Sequence, residues 1–298
     1  MRLTFDSKDG HRYLAKAVNV DIDQTGGIRT RRGYTKTAVT SPVHSLWADE
    51  SQSWCFFVQD QTLFRVYPGM TTTAVRTGLT PGQPMSYCVH QDRVFYTNGF
   101  QNGVVSEGVS APWAVVDQDG RDRIRFLDSP PVGKLLASYA GRVWIARDNV
   151  IWFTEPFDPY SCSIAENFFM TEGEVTMLLP LETGMFVGTT RGVWFIDGRD
   201  PASMDIEKAS NDKPIKNTAR AVTGDVLSKA LANDVDAKFT KPVGIWLSDS
   251  GICVGMQDGT VRNLTQRAVR VPELSGSGGA LFQFDDRIIA TAEVSDVN

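Results

Sequence analysis

Histidine and cysteine are scarce in this chain, with 3 and 4 copies among 298 residues. Cys55, Cys88, Cys162 and Cys253 stand far apart and form no C-x-x-C pair. That spacing excludes the zinc and thiol-redox motifs of clustered cysteines, and it suits four small hydrophobes buried in strands. His11, His44 and His90 fall at unrelated phases, so no Ser/His/Asp or Cys/His relay can be assembled from their positions. They read as surface or strand-edge groups. No apolar run is long enough to cross a bilayer as a helix. The opening Met1–Asp9 lacks the apolar centre of a secretory signal, so synthesis and folding in a cytoplasm are expected. Positive charge is in deficit: 30 Lys and Arg against 35 Asp and Glu give a net charge of −5, which disfavours general binding to nucleic acid or membrane surfaces. Strong helical periodicity is nearly missing as well.

What the chain does have is one pattern, repeated. A strand rich in aromatic and β-branched residues runs into a tight turn and a second strand. Ser53–Val58 leads into Thr62–Val66, Arg93–Thr97 into Gly103–Val105, and Arg142–Ala146 into Val150–Thr154. Gly184–Gly188 leads into Gly192–Ile196, Gly251–Gly255 into Gly259–Val261, and Asp286–Ala290 closes the series without a partner. Repeat starts near His44, Gln83, Lys134, Glu174, Pro242 and Gly279 give a period of roughly 40 to 50 residues, which is that of a multi-stranded β-propeller blade. The expected fold is therefore all-β, a β-propeller of about six blades forming a single domain over residues 1–298. Trp144, Trp152, Trp194, Phe186 and Phe195 are its candidate core.

Both ends of the series look incomplete. The last copy offers two strands, Ala280–Phe284 and Arg287–Thr291, while Ala15–Asp21 and Ile28–Tyr34 stand unassigned at the front. Pairing the N-terminal strands with the C-terminal strands would close the ring and remove exposed sheet edges. Residues at about 209–240 break the period. They read as a rim insertion or a strand-connecting loop, could hide a degenerate seventh unit, and include Asp225–Asp234 as a candidate short helix.

Candidate chemistry is sparse. Asp21–Gly27 resembles the front half of a calcium loop, but Arg32 occupies the position where the bidentate Glu belongs. An acidic hairpin turn accounts for the same residues, so no metal and no cofactor is expected. Carboxylates pair in sequence at Asp49–Glu50, Glu155 with Asp158, and Glu172 with Glu174. A glycosidase needs two of them facing each other across a sugar, about 5 to 10 Å apart, and adjacency on loops does not supply that. No catalytic residue is assigned. Trp113, Phe157 and Tyr160 could stack on sugars or pack between blades. The one concentration of cations is Arg29, Arg31, Arg32 and Lys36, with Arg29 and Arg31 on one strand face and Arg32 on the other. Such a strand is either a charge-protected edge or a docking edge for an acidic neighbouring subunit, since Arg forks onto carboxylates. The cluster lacks the interleaved aromatic platforms of a specific nucleic-acid site.

The stretch Ala17–Tyr34, with its Asn19 strand, acidic turn and Arg31-Arg32-Gly33 strand, resembles the opening of tailed-bacteriophage structural proteins with propeller cores. Arg93–Gly99, Gly141–Ala146 continuing to Phe153–Pro156, and Val187–Trp194 are similar to later parts of those proteins. The resemblance implies a non-enzymatic virion component of the tail, neck or nozzle, made in the host cytoplasm. It would be assembled as a ring or around the particle axis and docked on other virion proteins, such as tail tube, adaptor, hub or fibre subunits. A receptor- or glycan-binding propeller at the tail tip is the alternative, and a propeller-type glycoside hydrolase using Glu155 and Asp158 is the third.

Overall fold

The computed structural model describes residues 20–22, 28–30, 41–49, 51, 53–115, 127–230, 239–265, 274–284 and 287–294. Five four-stranded antiparallel sheets follow one another along the chain, each an up-and-down meander in sequence order. The first has strands at Val43–Ala48, Cys55–Gln59, Thr62–Val66 and Thr72–Arg76. The second runs through Ser86–His90, Arg93–Thr97, Asn102–Ser106 and Val109–Ala111. The third has Leu135–Tyr139, Arg142–Arg147, Val150–Phe153 and Phe168–Met170. The fourth has Val175–Pro180, Gly184–Thr189, Gly192–Asp197 and Asp205–Ser210, and the fifth Arg220–Val222, Val243–Ser248, Gly251–Gly255 and Val261–Asn263. Many connections are two residues long, which a meander of adjacent antiparallel strands permits.

Side-chain alternation puts an apolar set on both faces of each inner sheet, and each set meets the next sheet in the chain. Phe56, Val58 and Leu63 of the first sheet pack with Tyr87, Val94 and Tyr96 of the second. Cys88, Phe95 and Val104 meet Leu136, Val143 and Ile145 of the third. Trp144, Ala146 and Ile151 meet Met185, Val187 and Ile196 of the fourth. Phe186, Val193 and Phe195, which point the opposite way from that last trio, pack on Trp246 and Cys253 of the fifth. The core is thus a series of slabs between sheets, as in face-to-face blades, with no single centre.

Three of the expected core aromatics, Trp144, Phe186 and Phe195, are buried. Trp152 and Trp194 are only half-buried. Trp194 lies far out on the fourth sheet, where it shares a small surface groove with Met170 and Ile206 and carries the Lys208 ammonium 5.3 Å from its ring centre. The third sheet's outermost strand is three residues long and cannot cover it.

The segment at 209–240 is more than a rim insertion. Residues 209 and 210 complete the fourth sheet, and Arg220–Val222 is the first strand of the fifth, in register with Ile245, Gly244 and Val243. A short helix, Gly224–Ala230, follows with Asp225 in its first turn, as the sequence suggested. The fifth repeat therefore begins before Pro242. Its first connection spans 223–242 where the second sheet uses two residues, and that length is what broke the period.

The chain's two ends form separate two-stranded sheets: Val20–Ile22 with Ile28–Thr30, and Leu274–Phe284 with Arg287–Val294. Leu281 and Ile288 of the latter pack against the fifth sheet's slab. Among the described residues no ladder joins the front pair to the back pair. On the first sheet, Phe57 and Phe64 stack at 5.3 Å on the face turned away from the second sheet.

Candidate functional site

Each meander has two ends. The first and third turns of every sheet lie at one end, and the second turn and the links between sheets at the other. At both ends the turns of neighbouring sheets are hydrogen-bonded together.

At the link end, Thr97 Oγ1 and the Gly99 amide both donate to Gly133 O, at 2.5 and 2.8 Å, joining the second sheet's turn to the entrance of the third. A chain of ion pairs continues along the same rim. Lys134 Nζ lies 2.9 Å from Asp148 and 3.4 Å from Glu174, and Lys216 Nζ lies 3.1 Å from Glu174. Lys134, Glu174 and Lys216 stand at the entrances of the third, fourth and fifth sheets, and Asp148 lies in the third sheet's second turn. The hydrogen bond from Lys216 holds the Glu174 carboxyl below its usual range, and that from Lys134 does the same for Asp148. Glu174, one of the sequence-paired carboxylates, is thus a structural anion.

At the opposite end, the first turn of one sheet is tied to the third turn of the next. Gln91 Nε2 donates to Phe157 O at 2.9 Å, Tyr139 Oη to Gly198 O at 2.6 Å, and the Thr183 amide to Gln257 Oε1 at 3.2 Å. Between the third and fourth sheets this arrangement leaves an open depression of about 410 Å3, walled by Ser138, Tyr139, Ala140, Pro180, Leu181, Glu182 and Arg199. The Arg199 guanidinium donates one bond, at 3.1 Å, to Glu182 O. Ser138 Oγ lies 2.9 Å from Nδ1 of His90. His90 is 8% exposed and its Nε2 meets no partner among the described residues. Of the surface and strand-edge alternatives the sequence left, it takes the second, at the end of Ser86–His90, and burial lowers its pKa, which keeps the ring neutral.

The nominated acids are occupied by the fold. Glu155 accepts a 2.9 Å bond from Asn167, and Asp158 accepts the Tyr160 amide at 3.2 Å inside the same turn. Asp49 caps the Trp54 amide at 2.7 Å, while Glu50 lies outside the described residues. Of the three loop aromatics, Trp113 is buried and donates through Nε1 to Pro159 O, and Tyr160 packs on Phe95. Only Phe157 is free, at 76% exposure.

Arg29 lies in the strand Ile28–Thr30, whose register pairs it with Asp21. Arg31, Arg32 and Lys36, like Asp23–Gly27 of the calcium-like turn, lie outside the described residues. All four cysteines are free and three are buried. Among the described residues no group of three His, Cys, Asp or Glu could hold a metal ion. Sequence reasoning missed Ser138, Tyr139, Glu182 and Arg199 altogether. They come from two sheets and share no spacing.

No protein-family model and no curated protein matches the chain. Solved structures do. A virginiamycin B lyase from Staphylococcus aureus superposes with a TM-score of 0.51 at 10% identity, over 88% of this chain and 87% of that one. BBS1N in complex with ARL6DN gives 0.51 at 9% identity, over 92% and 83%. At such identities the likeness shows the fold alone, and that fold is a β-propeller.

Proposed function

We propose that the chain is a non-enzymatic structural component of a bacteriophage virion, a tail, neck, nozzle or tail-tip subunit that docks on other virion proteins. The observation that carries this reading is how the polar groups are spent. Glu155, Asp158, Glu174 and Asp49 each complete a turn or a sheet-to-sheet tie, so the acids singled out by the sequence are taken up by the fold. Other bonds lock neighbouring turns, from Thr97 and Gly99 to Gly133 at one end and from Gln91 to Phe157, Tyr139 to Gly198 and Thr183 to Gln257 at the other, which gives a rigid body with two fixed faces. The Ala17–Tyr34 resemblance supplies the phage context, and Arg29, Arg31, Arg32 and Lys36 supply a cationic edge for an acidic subunit in a ring or axial assembly.

Ring closure belongs to the same proposal. The front pair completes the sixth blade beside Leu274–Phe284 and Arg287–Val294, and that blade covers the Phe57–Phe64 face of the first sheet. What supports it is the row of slabs, which runs unbroken from the first sheet to the last hairpin, and the aromatic pair left on the outer face of the first.

Gradient-purified particles, digested and quantified by mass spectrometry, test the function. The chain is expected in fixed ratio to tail or neck proteins, and Arg31→Glu with Arg32→Glu should reduce its incorporation several-fold. A chain abundant in infected cells but absent from particles would overturn the proposal.

A further inference from the structure

We propose that the depression between the third and fourth sheets, together with Phe157 beside it, is a binding site for a neutral carbohydrate. The inference does not rest on the virion reading.

Phe157 is presented, not merely left over. It is 76% exposed, yet its backbone is fixed on both sides: its amide donates to Gly141 O at 2.8 Å, and its carbonyl accepts Gln91 Nε2 at 2.9 Å. Its φ of 59° is a left-handed conformation that a bulky residue adopts only under constraint. The ring lies over Gly141, where an added Cβ would come within 2.9 Å of it, so glycine is the residue that lets it rest there. The outcome is a rigid aromatic face at low entropic cost, held next to the turn whose Ala140 walls the depression.

The depression's chemistry selects among ligands. Its volume of about 410 Å3 lies within the range of small-molecule sites, and it opens to solvent as a seat for part of a longer chain would. Arg199 keeps free N–H donors after its single bond to Glu182 O, and the Glu182 carboxylate has no partner among the described residues. Among the lining residues one cation, Arg199, stands beside one anion, Glu182, so the wall itself presents no single sign of charge. Donors and acceptors stand side by side instead, which matches hydroxyl groups that both give and accept hydrogen bonds. Ser138 adds a hydroxyl oriented by the neutral His90 ring behind it. Ala140 and Pro180 offer aliphatic surface for the C–H faces of a sugar ring, and Phe157 offers a stacking plane for the next residue.

The test uses the full chain and three neutral probes: maltotriose, cellotriose and tri-N-acetylchitotriose. Saturation-transfer NMR and calorimetry should give a dissociation constant at or below roughly 1 mM for at least one of them. Glu182→Gln, Arg199→Ala and Phe157→Asn should each weaken it by about tenfold. Phe157→Trp, which keeps the platform, should retain it. Asn tolerates the left-handed backbone, and matched thermal unfolding shows that each variant is folded. Absence of binding by all three sugars, or binding that survives all three weakening variants, overturns the site. Particle incorporation of the same variants separates the two proposals, because loss of sugar binding with normal incorporation leaves the virion role intact.

Discussion

Replacing Gly255 by alanine tests whether the fourth and fifth sheets meet where the structure puts them. Gly255 ends the third strand of the fifth sheet, and an added Cβ there would stand 2.4 Å from Phe186 Cε2 and 2.6 Å from Cζ. An unstrained carbon contact needs about 3.5 Å, so the ring must move by about 1 Å. It has nowhere to go: Phe186 is fully buried, with Phe195 at 4.7 Å on one side and Trp246 at 5.4 Å on another. Overpacking of this kind costs typically 1–3 kcal/mol, and the closed surroundings place the change at about 2–3. For a chain of this size that lowers Tm by roughly 3–5 °C. The assay is thermal and urea unfolding followed by circular dichroism. Phe186→Leu in the Gly255→Ala background should recover about 1 kcal/mol relative to additivity, because the two sites share one contact. Gly69→Ala is the control, since nothing lies within 4 Å of that position and only its φ of 82° opposes a side chain. A Gly255→Ala protein within about 0.5 kcal/mol of the parent would refute the packing.

Three further outcomes follow from the same structure. Glu174→Gln removes an anion shared by Lys134 and Lys216, but all three side chains are more than a third exposed, so the loss should stay below about 1 kcal/mol and shrink with added salt. Because the Glu174 carboxyl is depressed, its contribution is full above the unfolded value and fades as pH falls through the folded one; parent and variant stabilities should therefore converge as pH falls below the ordinary carboxylate range. Thiol titration of the native protein should be slow at Cys88, Cys162 and Cys253, because burial pushes the last two up to about 12 and about 11 and Cys88 higher still, and all four should react after unfolding. Native-state hydrogen exchange should protect Val20–Ile22 and Arg287–Val294 to the same degree and release them together if one blade holds both; unprotected front-strand amides beside protected rear ones would remove ring closure.

The repeat was legible because short turns leave strand alternation uninterrupted. Arg93–Thr97, Arg142–Ala146 and Gly184–Gly188 each sit in the second strand of a sheet, where the sequence put a repeat. Arg220–Val222 was not legible: three residues followed by a helix give no period to detect, and pairing with Val243–Ser248 is a long-range event. Trp194 misled because large aromatics mark packing in general, whereas its exposure depends on how far out the neighbouring strand reaches. The candidate site was read only in part. Phe157 was picked out by residue type, but its left-handed backbone and its seat on Gly141 are properties of a turn. Ser138, Glu182 and Arg199 converge only after two sheets are docked.

The virion assignment is the claim to which the rest leads, and a cryo-electron microscopy map of the purified particle tests it most directly. Propeller-shaped density for this chain is expected in the tail, neck or tail tip, repeated around the particle axis and contacting other virion proteins. A map of the complete particle with every tail and neck density assigned to other chains would contradict it.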